Sequence, residues 1–171
     1  MILYENIITN HKIMIWTLHL KSRSKNRSMR EEEITEYLTV LNEFLDEIKQ
    51  DEIWTKAEID SLPIIITGDF NDVPDSSVVQ TMFDTKKTNG LIFKSAYCID
   101  GVYPEFSNYW YRPEYTVRQF IDFIFYRDVP TLKLISIRDL PSEDEIPKDT
   151  ANPCNKCPSD HFSLAATFEI S

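Results

Sequence analysis

The chain has 171 residues, of which 42% are hydrophobic, and a formal net charge of −10; this is the length and composition of one globular domain. The acidic balance excludes a polyanion-binding surface over the whole molecule, because such a molecule repels nucleic acid at long range. Three cysteines exclude a secreted disulfide framework, and polar interruptions in residues 1–20 predict no membrane span or signal peptide there, so we expect a cytoplasmic or nuclear protein.

The first half of the chain alternates predicted strands with predicted helices. Residues 2–8 and 13–20 are predicted to form two strands, and apolar residues at helical spacing predict an amphipathic helix over 30–50. A buried strand over 63–67 and a short helix over 75–83 follow.

The second half is predicted to be mainly strands and loops. The segments are a short strand or extended loop at 92–97, an aromatic segment at 106–115, strands at 118–126, 132–137 and 162–170, and an acidic loop at 141–153. Because no helix separates the later strands, the pattern predicts an α+β domain with mixed or antiparallel pairing rather than a purely parallel sheet.

The stretch from Ile64 to Pro74 carries the strongest chemical signal. Its β-branched run ends in Gly-Asp-Phe-Asn, so a buried strand brings the carboxylate of Asp69 and the carboxamide of Asn71 to the rim of a sheet. Both side chains offer the hard oxygen atoms that Mg²⁺-dependent phosphate chemistry needs. The alternative is a turn stabilised by these side chains without a chemical role.

Asp122 is the one charged residue in the apolar stretch 119–126. A buried carboxylate without a partner is strongly disfavoured, or its pKa rises until it is neutral. The residue therefore predicts either a functional site or a structural salt bridge to Arg118 or Arg112.

Asp160 and His161 directly precede the apolar stretch 162–170. In a functional interpretation Asp160 lies near a metal and His161 faces a phosphate, with its imidazole oriented by a carboxylate from another strand. The alternative is a solvated pair that opens a strand. We interpret these two residues, the Gly-Asp-Phe-Asn motif and the buried carboxylate as parts of one site.

A row of basic residues follows the predicted second strand. Four cations stand at every second position after His19, namely Lys21, Arg23, Lys25 and Arg27. In an extended chain this period places all four on one side, where they would form a local phosphate-binding edge on an acidic molecule. The alternative is a solvated loop with scattered charges.

Five segments resemble, in their order, the motifs of the endonuclease/exonuclease/phosphatase superfamily. They are Gly68–Asn71, Lys94–Tyr97, Phe106–Tyr109, Ile121–Tyr126 and Pro158–His161. The stretch His19-Leu-Lys-Ser-Arg23 is similar to the corresponding segment of the nocturnin-type deadenylase branch. The resemblance implies a two-sheet α/β sandwich of the DNase I type, with mixed or antiparallel strands, flanking helices and a site where strand-end loops converge.

The resemblance also implies hydrolysis of a phosphate ester with Mg²⁺, or with Mn²⁺ as a second option. In that interpretation Asp69 orients or deprotonates the attacking water, and Asn71 steadies the scissile phosphate. Asp160 is a carboxylate on the metal side, and the implied metal set is completed by Asp69 and Asn71.

The remaining implied roles concern phosphate binding. His161 contacts the scissile phosphate and balances developing charge, with Asp122 orienting its ring. His19 is a further catalytic phosphate contact. A substrate phosphate is assigned to Lys21, Arg23 and Arg112.

Residues 1–171 are interpreted as the C-terminal portion of a single domain of this superfamily. The family's early Asn and its metal-binding Glu have no counterpart in this sequence, so we expect the isolated chain to be weak or inactive. The expected activity is that of a poly(A)-specific 3′-exoribonuclease in mRNA turnover, with poly(A) RNA and components of a deadenylase complex as partners. The alternatives are an NADP(H) 2′-phosphatase and a catalytically dead fragment that acts only by binding.

Overall fold

The computed structural model describes residues 2–5, 10–112, 114–146, 153–155 and 158–171, and only the backbone of Arg112. The strands in this part of the chain are β1 (Ile2–Glu5), β2 (Lys12–His19), β3 (Ile64–Asp69), β4 (Phe93–Ser95), β5 (Asn108–Arg112), β6 (Tyr115–Gln119), β7 (Asp122–Arg127), β8 (Leu132–Ile137) and β9 (Ala166–Ile170). The helices are α1 (Arg27–Gln50), α2 (Lys56–Asp60) and α3 (Ser77–Gln80), with short 3₁₀ turns at Ser24–Asn26, Thr81–Phe83 and Glu143–Glu145.

The main sheet has five strands in the order β1-β2-β3-β7-β4. Strands β2 and β3 are parallel, and the other neighbouring pairs are antiparallel. Two further antiparallel pairs, β5-β6 and β8-β9, lie outside this sheet. This mixture of pairings, with helices that pack on the sheet, confirms the predicted α+β class.

Helix α1 covers the sheet because its apolar residues recur every three or four positions and form one face. Its buried residues are Arg30, Ile34, Leu38, Leu41, Leu45 and Ile48. The apolar members of this face belong to one core with Met14, Trp16 and Leu18, which alternate along β2. The predicted helix over 30–50 is confirmed, and it begins three residues earlier. No helix in the described part of the chain combines the length and the apolar composition that a bilayer crossing requires.

The register of the sheet aligns three polar residues on three neighbouring strands. His19 of β2 lies opposite Asp69 of β3, and Asp69 lies opposite Asp122 of β7. Strands β2 and β3 approach closely here because Gly68, at φ 139°, has no side chain; a Cβ atom at that position would lie 1.9 Å from the carbonyl oxygen of Leu18. The sheet therefore places these polar residues side by side at the adjoining ends of β2, β3 and β7.

The prediction of an extended basic row is wrong. Arg23 turns the chain with φ 78°, residues Ser24–Asn26 form a 3₁₀ turn, and α1 already begins at Arg27. The turn and the helix remove the two-residue period on which the prediction rested. Only Lys21 and Arg23 remain in the connection between β2 and the first helical turn.

The prediction of one strand over 118–126 is also wrong, since the segment contains the end of β6 and most of β7. The break occurs because the backbone N–H groups of Ile121 and Asp122 both donate to the hydroxyl of Ser107, at 3.0 Å each, and thereby leave the β5-β6 ladder. Asp122 is consequently the first residue of β7 and lies at a strand end, not in the middle of an apolar strand.

Other boundaries differ less. The aromatic segment contains a strand, β5, and the predicted last strand begins at Ala166 rather than at Phe162. Of the short strand or extended loop predicted at 92–97, residues Phe93–Ser95 form β4, and the strand predicted over 132–137 is confirmed as β8. Parts of the first predicted strand (6–8) and of the acidic loop (147–152) lie outside the described residues.

Candidate active site

Three side chains converge where β3 ends and β7 begins in the main sheet. One carboxylate oxygen each of Asp69 and Asp122 and a ring nitrogen of His161 all lie within 4.8 Å of one another. Asp69 ends β3, Asp122 begins β7, and His161 precedes the last strand, so three distant parts of the chain meet here. The sequence indicated these three residues, and the structure brings them together.

Asp69 and Asn71 form a compact turn after β3. The backbone N–H of Asn71 donates to Oδ1 of Asp69 at 2.7 Å, and its side-chain Nδ2 donates to Oδ2 of Asp69 at 3.0 Å and to the carbonyl of Leu20 at 2.9 Å. The turn that the sequence suggested as an alternative to function therefore exists. It coexists with a site, because it holds the Asp69 carboxylate beside Asp122 and His161.

Asp122 and His161 form a close pair. The Nδ1 atom of His161 lies 3.0 Å from Oδ2 and 3.2 Å from Oδ1 of Asp122. The buried hydroxyl of Ser107 donates to Oδ2 of Asp122 at 2.7 Å. The suggested salt bridge to Arg118 is not what the structure shows, because that arginine pairs with glutamates elsewhere. The partner of Asp122 is instead an imidazole that faces the site.

The loop that carries His161 is docked on the start of β5. The backbone N–H of Tyr109 donates to the carbonyl of Asp160 at 2.8 Å, and that of Phe162 donates to the carbonyl of Ser107 at 2.8 Å. The side-chain amide of Asn108 also donates to the carbonyl of Asp160, at 3.2 Å. The segment Phe106–Tyr109 thus holds both members of the Asp122–His161 pair. Ser107 and Asn108 were not among the predicted site residues, although they stand out among the aromatic residues of this segment.

The electrostatics of the site follow from burial and from these contacts. Burial raises the pKa of Asp69, and the charge of Asp122 raises it further. The hydrogen bond that His161 donates to the Asp122 carboxylate raises the pKa of His161 above 6.5, against the opposing effect of burial. The carboxyl group of Asp69 is therefore easier to protonate than usual, while His161 holds its proton more firmly.

His19 and Asp160 lie beside the cluster rather than in it. The Nε2 atom of His19 lies 3.5 Å from Oδ2 of Asp69, and the imidazole is 73% exposed. Asp160 is half-buried and contributes its backbone carbonyl to the loop described above. The group of three metal-type side chains found in the described part of the chain does not include it.

The predicted phosphate-binding residues lie on the chain that leaves β2. Lys21 and Arg23 are exposed and follow Leu20, whose carbonyl accepts a hydrogen bond from Asn71. The loop therefore begins at the site itself. The side chain of Arg112, the third predicted phosphate ligand, lies outside the described residues.

The cluster fits a divalent cation. Two carboxylates converge on one point with an imidazole as neighbour, and a Mg²⁺ ion is commonly held by one or two carboxylates together with waters and substrate phosphates. Asp69 is half-buried, and its pKa is raised by this burial and by the charge of Asp122, so a cation would relieve the repulsion between the two carboxylates. The imidazole in the group is a ligand that suits transition metals better than Mg²⁺.

A second group of charges lies behind the site. Arg30 of α1 is only 2% exposed and donates through Nε and Nη2 to the Asp72 carboxylate, at 3.1 and 2.8 Å. Burial would raise the pKa of Asp72, but the hydrogen bonds from Arg30 and Arg27 lower it below its ordinary value. Sequence reasoning missed this pair, although an arginine on the apolar face of a helix was a signal for it.

Comparison with known proteins places the chain in a family context. The profile of the Endonuclease/Exonuclease/phosphatase family matches residues 45–161. No curated protein matches the chain in sequence.

Solved structures of this family are similar in fold. The human Nocturnin catalytic domain with a bound sulfate anion has a TM-score of 0.70 and 21% identity over 99% of this chain and 51% of that chain. ANGEL2, a 2′,3′-cyclic phosphatase, has a TM-score of 0.66 and 17% identity over 92% of this chain and 57% of that chain. A mannosyl-6-phosphatase from Bacteroides thetaiotaomicron has a TM-score of 0.53 and 21% identity over 96% of this chain and 54% of that chain. The chain thus spans about half the length of these structures.

Proposed function

The chain belongs to the endonuclease/exonuclease/phosphatase family, and from this membership we propose that it forms part of a divalent-metal-dependent hydrolase of phosphate esters. The proposal depends on one observation. One ligand atom each of Asp69, Asp122 and His161 lie within 4.8 Å of one another, where β3 ends and β7 begins. A base, an imidazole and a carboxylate partner at one point are the groups that hydrolysis of a phosphate ester requires.

Asp69 is the group that accepts a proton from the attacking water in this proposal. Its raised pKa brings its basicity closer to neutral pH, where a general base works best. Asn71 holds the Asp69 carboxylate in place through two hydrogen bonds. Its Nδ2 also donates to the carbonyl of Leu20, so in this proposal it steadies the scissile phosphate by exchanging one of these two acceptors for a phosphate oxygen.

His161 is the group that balances negative charge on the phosphate. Its Nδ1 atom is held by Asp122, so Nε2 is the nitrogen that faces a substrate oxygen. The raised pKa keeps the ring protonated over a wider range, which favours a charge-assisted hydrogen bond. His19, close to Asp69, is proposed as a further phosphate contact.

Asp69 and Asp122 are the carboxylates that would hold a divalent cation, with Asn71 and Asp160 as the predicted neighbours. The cation, when bound, would neutralise charge on the phosphate and lower the pKa of a bound water. Mg²⁺ is the proposed ion, and Mn²⁺ is the second candidate because carboxylate oxygens suit both ions.

For the substrate, we propose poly(A) RNA and removal of nucleotides from its 3′ end in mRNA turnover. The resemblance of His19–Arg23 to the nocturnin-type segment supports this choice, and the fold similarity to the Nocturnin catalytic domain agrees with it. We propose that residues 1–171 are the C-terminal portion of one domain, that the activity belongs to the longer protein, and that it acts in the cytoplasm or nucleus, alone or with deadenylase partners.

An NADP(H) 2′-phosphatase is the second candidate function. It is favoured by the exposed Lys21 and Arg23 beside the site, which suit a terminal phosphate group. Two of the similar structures are phosphatases, one for a 2′,3′-cyclic phosphate and one for a mannosyl 6-phosphate. A non-catalytic binding role of the isolated chain is the third candidate.

Incubation of the longer protein and of the 171-residue chain with oligo(A) and with NADP(H), in Mg²⁺ and in EDTA, tests these functions. Asp69→Ala is expected to lower the metal-dependent rate by about 10²- to 10⁴-fold, since it removes the base. Asp128→Ala is the matched control, because Asp128 is an exposed aspartate that pairs with Lys94 near the opposite end of β7.

Each result has one interpretation. Shortening of oligo(A) by the longer protein that is lost in Asp69→Ala supports the exoribonuclease. Release of phosphate from NADP(H) with intact RNA supports the phosphatase. An Asp69→Ala protein as active as wild type contradicts the proposed site, and clear turnover by the isolated chain contradicts the non-catalytic candidate.

A further inference from the structure

The loop of Lys21, Ser22 and Arg23, here called the basic loop, is held from beneath by one buried side chain. Arg30 donates through Nη1 to the backbone carbonyls of Lys21 and Arg23, at 3.0 and 2.8 Å. The Nε and Nη2 atoms of the same guanidinium donate to the carboxylate of Asp72. One rigid, planar group therefore binds the basic loop on one side and Asp72 on the other.

Asp72 directly follows Asn71, so the guanidinium reaches both halves of the site. Arg30 and Asp72 are 42 positions apart in sequence and both nearly fully buried. Arg27 adds a second, exposed arginine to the same carboxylate, with Nη2 3.1 Å from Oδ1. The pair thus connects the predicted phosphate ligands to the turn that carries Asp69 and Asn71.

The backbone of the basic loop is strained in the form that Arg30 holds. Arg23 has φ 78° and ψ 135°, a strained region that residues with a side chain rarely adopt. Its carbonyl accepts from Arg30 and also from the backbone N–H of Asn26 at 3.0 Å. The N–H of Lys21 is bound by Glu33 of the same helix at 2.7 Å. Helix α1 therefore supplies the contacts that oppose relaxation of the loop.

We propose that Arg30 is a positioning residue for substrate phosphate, which holds the basic loop at a set distance from the Asp69–Asn71 turn, with Asp72 as its counterion. This inference rests on the proposed phosphate-binding role of Lys21 and Arg23. Arg30 itself is buried and touches no substrate. Its effect on binding is carried by the two carbonyls that it fixes and by the strained backbone between them.

A purely structural arginine would affect stability and leave ligand affinity unchanged. The chain offers a matched example in Arg127, a partly buried arginine at the far end of β7, whose Nη1 also donates to two backbone carbonyls, that of Ile59 in α2 and that of Leu62 in the connection to β3. Arg127→Lys is therefore the control for the loss of a buried guanidinium that holds a loop. Arg30→Lys keeps the positive charge near Asp72 but cannot span the carboxylate and both carbonyls.

The test is the binding of inorganic pyrophosphate to the metal-free 171-residue chain, followed by backbone amide NMR at a temperature where every variant is folded. Lys21→Ala and Arg23→Ala first establish whether the probe uses the basic loop. Arg30→Lys is then expected to weaken binding about tenfold, because small misplacements of positioned groups cost up to about 10²-fold. Arg127→Lys is expected to lower the melting temperature and to leave the affinity unchanged.

The positioning role also predicts the pyrophosphate affinity of the combined variants. Arg30→Lys should add almost no further loss of affinity in a Lys21→Ala, Arg23→Ala background, because the loop then has no phosphate ligand left to position. Additive losses, or a wild-type affinity in Arg30→Lys, overturn the proposal. If Arg30→Lys does not fold, Asp72→Asn replaces it, since it keeps the side-chain shape and removes the counterion; unchanged pyrophosphate affinity in a folded Asp72→Asn chain overturns the proposal equally.

The phosphate-binding role of the basic loop and the positioning role of Arg30 can be contradicted separately. Unchanged binding in Lys21→Ala and Arg23→Ala contradicts the phosphate-binding part of the proposed function and removes the premise of the positioning role. Weaker binding in those variants with unchanged binding in Arg30→Lys contradicts the positioning role alone.

Discussion

His161 shows how hydrogen bonding outweighs burial at the scale of a residue. Burial of an imidazole lowers its pKa, yet the hydrogen bond that His161 donates to Asp122 raises the pKa of His161 overall. The negative charges of Asp122, Asp69 and Asp160 also raise it. Asp122 in turn is held by the hydroxyl of Ser107. A carboxylate that is fixed in this way controls the charge of the ring beside it.

We expect Asp122→Asn to lower the pKa of His161 in the metal-free chain, because it removes the largest cause of the raised value. The pKa in the folded wild type lies above 6.5, so the pair stabilises the fold fully below pH 6.5 and this contribution is lost as the pH rises through the folded pKa. NMR titration of the ring protons measures the pKa, and urea unfolding at several pH values measures the stability.

Asp128→Asn, at the exposed aspartate that pairs with Lys94, is the control and should leave the pKa of His161 unchanged. A His161 pKa that does not fall in Asp122→Asn would show that the pair does not form in solution.

Gly68 determines how the elements meet at the site. It lies near the end of β3, where the register brings β2, β3 and β7 together. The positive φ of 139° and the contact of a Cβ position with backbone atoms of Leu18 leave room only for hydrogen. The parallel pairing of β2 and β3, and with it the approach of His19 to Asp69, depends on this absence of a side chain.

Gly68→Ala is expected to destabilise the chain by more than about 2 kcal/mol, since the added carbon meets backbone and cannot be relieved by a side-chain movement. Chemical denaturation measures the change in the free energy of unfolding.

Gly90→Ala is the matched control, because Gly90 also has a positive φ of 83° but has nothing within 4 Å of a Cβ position. Its cost should be limited to backbone strain of about 1–2 kcal/mol. An equal loss of stability in the two variants would mean that a clash with the backbone of Leu18 is not the reason why position 68 requires glycine.

The sheets are joined into one molecule by aromatic residues that connect β4, β7 and the β8-β9 pair. Tyr126 of β7 packs on Phe168 of β9 with ring centroids 5.3 Å apart. Tyr97, which follows β4 and is 1% exposed, lies with its hydroxyl 2.8 Å from the carbonyl of Arg138 and accepts from the backbone N–H of Ala165 at 3.0 Å. The segment that carries His161 is thus anchored at its far end as well.

Tyr97→Phe is expected to lower the stability by about 1–3 kcal/mol, because it removes the hydrogen bonds of the Tyr97 hydroxyl to the backbone of Arg138 and Ala165. Thermal and urea unfolding measure the loss. Tyr115→Phe, at an exposed tyrosine, is the control and should change the stability by less than about 0.5 kcal/mol. Equal losses in the two variants would mean that the Tyr97 hydroxyl does not join the sheets.

Much of the fold was predictable from local patterns. The apolar spacing of α1 and the β-branched run of β3 identify their elements because burial of one face imposes a period on the sequence. The break between β6 and β7 was not predictable in this way. It depends on the Ser107 hydroxyl, which binds the N–H of Asp122 from 15 positions away in sequence, and a continuous apolar run carries no sign of that contact.

The sequence by itself identified Asp69, Asn71, Asp122 and His161 as the chemical groups, because each is a polar residue within or beside an apolar stretch. Only the tertiary structure decided their partners. The register of three strands places Asp69 opposite Asp122, and the packing of α1 brings Arg30 to Asp72. The reason is that periodicity records whether a residue is buried, whereas the identity of its neighbour depends on how distant segments are aligned.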